Sequence, residues 1–302
     1  MTAGTSTVRP VDRRSAAPTG GRPRRGAGRP RALSWLQFAV LAVVALAWIY
    51  PLLWIVSASF KDDADIFTSG LSLIPDQWRW QNYVDAWQTA GFAQYTLNSV
   101  IVTVGSVVVV ILRCATAGYV LGRYAFRGKK LFLGVLLAAS FIPTGLSIIP
   151  IVQLSTQLGL YPSTVGLILA LSAGGNVAGA LLYTGYFSRL PDELEQAAQI
   201  DGAGFLRTFF SVMLPLSGPI TATVAVVTFI GTWSNFFVPL VFTFSDPTQR
   251  TLAVGMLAFQ GTNSTDWSGL AAGATLSLVP VMVVFFLLQR YFVEGMAGAV
   301  KS

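Results

Sequence analysis

Six apolar stretches shape the sequence, at about residues 34–57, 96–121, 131–153, 164–187, 217–241 and 270–291. A hydrocarbon core about 30 Å thick takes roughly 20 apolar residues of helix to cross. Each stretch is long enough. Only 11% of the 302 residues are charged and 53% are hydrophobic, where a soluble domain carries about 25% charged residues. The predicted fold class is an all-α membrane protein with six transmembrane helices.

Residues 1–32 stand apart from this six-span domain, residues 33–302. They are rich in Arg, Pro, Gly, Ser and Thr, too polar to offset chain entropy by burial, and are expected to be disordered in the cytoplasm. Their arginines (Arg9, Arg13, Arg14, Arg22, Arg24, Arg25, Arg29 and Arg31) resemble the basic start of a signal peptide. The run Leu33 to Ser57 is too long for that and has no small-residue cleavage site, so it reads as an uncleaved first span. The net charge of +7 therefore suits a membrane-flanking tail and not a nucleic-acid footprint. Basic residues in short flanks set orientation. With both termini in the cytoplasm, that side holds the tail arginines with Arg123, Arg127, Lys129, Lys130, Arg189, Arg207, Arg290 and Lys301. The far side holds Lys61, Arg79 and Arg250.

This puts the loop at about 189–216, between the fourth and fifth spans, in the cytoplasm. It reads ELEQAAQIDGAGFLRTFFSVMLPL from residue 193. Pro191 suits a first helical turn, and Asp192, Glu193 and Glu195 crowd the end where the helix dipole favours anions. Leu194, Ala197 and Ala198 share a face at helical spacing, shallow enough for another protein to approach. Gly202 suits a C-cap. A second helix carries Leu206, Phe209, Phe210 and Met213 on one side and breaks at Pro215. Composition alone permits a helical loop lying on headgroups or a docking element for a cytosolic partner.

The stretch resembles the EAA loop of ABC importer permeases, a Glu-Ala-Ala, three residues, Gly, and a Leu-Pro about ten residues on. Here Gln196-Ala197-Ala198, Gly202 and Leu214-Pro215 hold that register. The resemblance implies a coupling helix that docks in a cleft of an ATPase subunit, with Glu195, Gln196, Ala197, Ala198, Asp201 and Gly202 as its surface. Gln196 replaces the motif's glutamate, and Glu195 stands one place earlier. An ion pair across the surface is therefore expected at Glu195 or Asp201.

Beyond the loop, "FIPTGLSIIP" (141–150), "LGLYPSTVGLIL", "DPTQRTLAVGMLAFQG" (246–261), "TDWSGLAAG" and "QRYFVEGMAGAVK" resemble the maltose-type sugar permeases, in particular the second permease of the heterodimer. The chain departs from that pattern after Trp233, where Ser234-Asn235 stand in place of the usual Asn-Glu. Its C-terminal tail is one residue shorter. In relatives this tail reaches between the ATPase subunits, which implies contacts from Glu294 and Lys301. The resemblance further implies a bacterial cytoplasmic membrane location, a second permease subunit, two copies of a cytosolic ATPase subunit and an extracytoplasmic sugar-binding protein. ATP and Mg belong to the ATPase subunit, and this chain is expected to bind no cofactor.

Two polar stripes fit either a hydrophilic pathway or ordinary packing of small residues in lipid. Ser140, Thr144 and Ser147 lie on the third span, with Pro143 and Pro150 as expected kinks. Ser217, Thr221, Val224, Thr228, Gly231 and Asn235 trace the fifth. The candidate pathway residues are Ser140, Thr144, Ser147, Thr221, Thr228 and Asn235. Arg113 in the second span is expected toward the cytoplasmic side, where it snorkels or where the helix extends beyond the bilayer. Segments 58–94 and 242–269, with Trp78, Trp80, Trp87 and Trp267, read as interfacial anchors or as the contact with the binding protein.

The sequence contains no histidine, one cysteine and no G-x-x-x-x-G-K-[ST]. Catalytic and metal sites are therefore not expected, and any ATP hydrolysis falls to another protein. An intramembrane enzyme lacks a nucleophile–base pair, and a secondary transporter would need buried ionisable groups, for which Arg113 is the one candidate. An importer for another polar solute remains the alternative to a sugar.

Overall fold

The computed structural model describes residues 31–299 other than 90, 143, 175, 262 and 263. By compactness the chain divides into Met1–Tyr50 and Pro51–Ser302. Helix α1, Arg31–Ala58, runs across that division. Two short helices follow, α2 (Asp63–Thr68) and α3 (Gln81–Thr89), then the long α4 (Phe92–Arg123). The third apolar stretch forms α5 (Lys129–Ala139), a 3₁₀ turn (Thr144–Ser147) and α6 (Ile148–Gln157). The fourth forms α7 (Thr164–Ala173) and α8 (Val177–Phe187).

The polar loop forms α9 (Glu193–Ile200), then α10 (Phe205–Thr208) continuing through Phe209–Met213 into α11 (Leu214–Leu216). Helices α12 (Gly218–Trp233), α13 (Phe237–Phe242), α14 (Leu252–Gly255) and α15 (Trp267–Ala299) complete the chain. Among the described residues the remaining regular pairing is one bridge, Gln260 with Thr265.

The spans are less regular than six rods. Among the described residues, three helical segments are long and apolar enough to cross a bilayer unbroken: Gln37–Ala58, Phe92–Arg123 and Trp267–Gln289. Two more candidates are bent pairs, α7 with α8 at 63° and Phe205–Leu216 with α12 at 79°. The stretch at 131–153 is interrupted outright, between Ala139 and Ile148. Pro150 sits in the first turn of α6, where its missing N–H costs nothing because first-turn donors have no intrahelical acceptor. Between α10 and α11 the chain winds as a π-helix, and Leu214 N bonds Phe209 O. Pro215 follows, whose ring would strike the carbonyl four residues back in a regular α-helix. The wider turn ends at that proline.

Helices α4 and α8 pack against each other at two glycines one turn apart, Gly118 and Gly122. A Cβ at Gly118 would collide with the Tyr183 side chain, and one at Gly122 would lie 2.9 Å from Thr184 O. Small residues four apart let two membrane helices bring their backbones together. Around this seam Val110, Ala115, Tyr119, Tyr183, Phe187 and Met213 are buried. Tyr183 Oη donates to Thr221 Oγ1 at 2.8 Å, which ties α12 to the same seam.

At the end of the bundle that carries the 59–95 and 242–269 segments, polar groups pin loops instead of lining a path. Asn98 Nδ2 donates to Thr248 O and Arg250 O at 2.8 and 2.9 Å. Ser99 Oγ accepts from Leu252 N at 2.7 Å. Lys61 is 2% exposed, and its Nζ donates to Ser69 Oγ (2.8 Å) and Ser72 O (2.7 Å). Phe60 packs between Trp78 and Trp80, with ring centroids 5.1 and 4.8 Å away.

Gly118→Leu should cost about 1–3 kcal/mol through overpacking. It should lower the thermal midpoint and monodispersity of the detergent-purified protein. Gly134→Ala, where a Cβ meets nothing within 4 Å, should leave both unchanged. Equal midpoints for the two variants would show that the α4–α8 seam is not close-packed.

Candidate functional site

The loop helix α9 opens after Asp192 and closes in a left-handed glycine, Gly202 at φ +75°. Gly202 N bonds Gln199 O and Ala203 N bonds Ala198 O, at 3.0 and 2.9 Å. This paired arrangement satisfies the last carbonyls and stops the helix. A side chain at 202 would be strained by that φ whatever the space around it.

Glu195 and Gln196, about 100° apart on the helix, differ in burial. Glu195 turns inward, with its side chain 16% exposed, and meets Arg123 at the last turn of α4, 5% exposed. Arg123 Nε lies 3.2 Å from Glu195 Oε1, and Nη2 lies 2.7 Å from Asp192 Oδ1. The same guanidinium donates through Nη1 to Leu190 O at 2.7 Å. One cation thus holds the loop at three points. An arginine fork supplies five donors in a rigid plane, which suits it to this task. Ala198 is buried as well, whereas Gln196, Ala197, Gln199, Asp201 and Gly202 are exposed. The shared face expected for Ala197 and Ala198 is therefore divided, with Ala198 against the body and Ala197 outside. Ile200, 87% exposed, is the large apolar group on the outer side. Arg123 and Ile200 were missed in the sequence. Arg123 entered there only as an orienting charge, because its partners lie 72 residues away and no local spacing links them.

The second candidate region is a cavity of about 900 Å³ among α4, α5, α6, α7, α8, α12 and α13. Ser140, Ser147, Thr228 and Asn235 all line it, which brings together four of the six expected pathway residues. Thr221 does not. It lies farther along α12, bonded to Tyr183 and 3.2 Å from Ser217 Oγ. The polar stripe on α12 therefore divides. Ser217, Thr221 and Val224 sit at the packed end, while Thr228, Gly231 and Asn235 reach the cavity. The Thr144 side chain, Pro143 and Gly175 lie outside the described residues, as do the Glu294 side chain, Lys301 and residues 1–30.

Arg113 lies ten residues before the end of α4, on the Arg123 side of its midpoint. It lines the cavity, and its Nη1 donates to Ala173 O, the last residue of α7, at 3.0 Å. The break at Gly174 frees that carbonyl, and a cation at a helix C-terminus is favoured by the dipole. On the α12 side, Asn235 Oδ1 accepts from Val238 N at 3.2 Å. Both ends of the cavity thus satisfy backbone groups that broken helices release. Backbone of this kind is tolerated at membrane depth where it is buried in protein or lines a cavity.

Residues 115–298 match the family described as "Binding-protein-dependent transport system inner membrane component". The chain is 38% identical to "Probable ABC transporter permease protein YurM" of Bacillus subtilis, over 88% of this chain and 87% of that protein. It is 36% identical to "Diacetylchitobiose uptake system permease protein NgcG" of Streptomyces coelicolor, over 92% and 91% respectively. Among solved structures, a chain of "a bacterial ABC transporter involved in the import of the acidic polysaccharide alginate" superposes with a TM-score of 0.74 at 23% identity. That match covers 87% of this chain and 97% of the other, and speaks for the fold.

Removing the cation that holds the loop leaves Glu195 without its buried partner. Truncating one member of a buried pair costs about 3–5 kcal/mol, so Arg123→Ala should raise amide exchange at residues 193–202 about a hundredfold or more. Arg123→Lys keeps the charge but not the fork and should fall between. Unchanged exchange in Arg123→Ala would mean that the loop is held by packing alone.

Proposed function

The chain belongs to the binding-protein-dependent transport system inner membrane component family, and on that footing we propose that it is one of two permease subunits of an ATP-driven sugar importer. It takes a sugar or oligosaccharide from an extracytoplasmic binding protein and passes it to the cytoplasm. A second permease and two copies of a cytosolic ATPase subunit complete the machine. The relatives named for diacetylchitobiose and for melibiose, raffinose and stachyose support the solute class. Six spans with both termini in the cytoplasm is the topology that fits the charge distribution. Interruptions at Ala139–Ile148 and Gly174–Asn176 then lie within the third and fourth spans.

The observation that carries this reading is the loop. Helix α9 is fixed to the body by Glu195 and Asp192 on one side and offers Gln196, Ala197, Gln199 and Ile200 on the other. A helix held at its back and bare in front suits transmission of a push from a docked subunit. Ile200 supplies apolar area for the ATPase cleft, and Gln196 supplies hydrogen bonding without charge. Glu195 is occupied by Arg123, so the ionic contact with a basic cleft falls to Asp201, which is exposed. ATP and Mg sit on the ATPase subunit. The cavity lined by Ser140, Ser147, Thr228 and Asn235 is this subunit's share of the pathway, and Glu294 and Lys301 belong to the tail that meets the ATPases.

Reconstitution tests the reading. The chain alone in proteoliposomes should hydrolyse no ATP, and with its partner permease, ATPase and loaded binding protein it should accumulate sugar. Ile200→Asp and Gly202→Leu should release the ATPase or uncouple hydrolysis from uptake, whereas Gln196→Glu should be tolerated. Asp201→Ala should weaken ATPase co-purification more at low salt than at high salt, since salt screens an exposed pair. Nucleotide turnover by the lone chain, or wild-type uptake by Gly202→Leu with the ATPase bound, would overturn it.

A further inference from the structure

The cavity carries a full positive charge that the transport reading does not require. Arg113 lines the cavity about two-thirds of the way along α4, ten residues before Arg123. A charge within a span is costly. Capping α7 answers only part of that cost. The Ala173 carbonyl occupies one donor, while a guanidinium has five. Among the described residues lining the cavity there is no aspartate or glutamate. The other polar groups there are hydroxyls and amides: Ser140, Ser147, Thr228, Thr232, Asn176 and Asn235. Helix α8 begins at Val177, also on the cavity wall, so the positive end of its dipole adds to the same field.

We propose that Arg113 makes this cavity selective for a sugar bearing an oxyanion, a carboxylate or a phosphate, whose hydroxyls meet the Ser, Thr and Asn side chains around it. The site is the one assigned above to the pathway, and the inference rests on that assignment. Arginine reads carboxylate and phosphate alike through its planar fork. In a narrow space with low-dielectric walls, a fixed charge raises the local concentration of the opposite one. A neutral sugar gains neither effect. It finds only hydroxyl and amide partners and leaves the guanidinium donors idle.

The test uses the complete transporter in proteoliposomes, with Cys114, the chain's single cysteine, changed to alanine and Ser147→Cys as the reporter. Labelling of Ser147→Cys is timed with an anionic, a cationic and an uncharged methanethiosulfonate. With Arg113 present, the anionic reagent should be favoured. Arg113→Gln should lower the anionic-to-cationic rate ratio about tenfold, the scale expected on removing one charge near the reporter. The uncharged rate should change little. Arg113→Lys should keep the ratio, which separates charge from the cap on α7 should Arg113→Gln loosen the fold.

Protection is then measured with glucuronate, glucose 1-phosphate and glucose at equal concentration. Stronger protection by glucuronate assigns a carboxylate, and by glucose 1-phosphate a phosphate. Equal protection by glucose overturns the inference, as does a rate ratio unmoved by Arg113→Gln, the result expected if a carboxylate of the second permease already neutralises Arg113. Both outcomes leave the pathway standing. Failure of every reagent to reach Ser147→Cys would instead remove the pathway assignment itself, and the inference with it.

Discussion

The backbone of α4 touches that of α8 at Gly118 and Gly122, and from this contact the two functional regions take their positions. With the helices this close, the last turn of α4 brings Arg123 over Leu190, Asp192 and Glu195 at the start of the loop. Farther up the same helix Arg113 arrives at the open end of α7. Two arginines ten residues apart on one helix therefore answer two different chain breaks. One donates to the carboxylates where α8 gives way to the loop. The other donates to a carbonyl at the break between α7 and α8. Neither could do so if a side chain at 118 held the helices apart.

A bilayer supplies no hydrogen bonds, so an interrupted span has to replace those it loses. The replacements are visible: Arg113 for Ala173 O, Asn176 Nδ2 for Gly174 O at 2.9 Å, and Asn235 Oδ1 for Val238 N. These polar side chains sit around the cavity because the breaks do. Hydrophilic lining and irregular backbone thus share one origin.

The sequence made some of this legible and hid the rest for definite reasons. Apolar length located the membrane segments, since hydropathy sums over a window. The same summation passed over the break at Gly174, where one residue of extended backbone barely alters the total. Local signals were strong in the loop: acidic first turn, helix over 193–200, glycine at 202. The inward turn of Glu195 was not, because its cause lies on another helix. Periodicity put Thr221, Thr228 and Asn235 on one stripe, but α12 ends at Trp233 and Asn235 lies beyond it. Which part of the stripe is packed and which is open depends on where α8 ends, and helical spacing contains no such information. Gly118 and Gly122 resemble any other glycines until Tyr183 is placed opposite.

The 79° corner between the segment Phe205–Leu216 and α12 has a mechanical meaning. The segment is an arm of twelve residues, about 18 Å at helical rise, attached to the loop at one end and to α12 at the other. A thrust along the arm reaches α12 almost at right angles to its axis, so it acts as a torque and tilts that helix with little sliding. The far end of α12 carries Thr228 and Gly231. A tilt moves those residues farther than it moves the corner, as the tip of a crank moves farther than its hub.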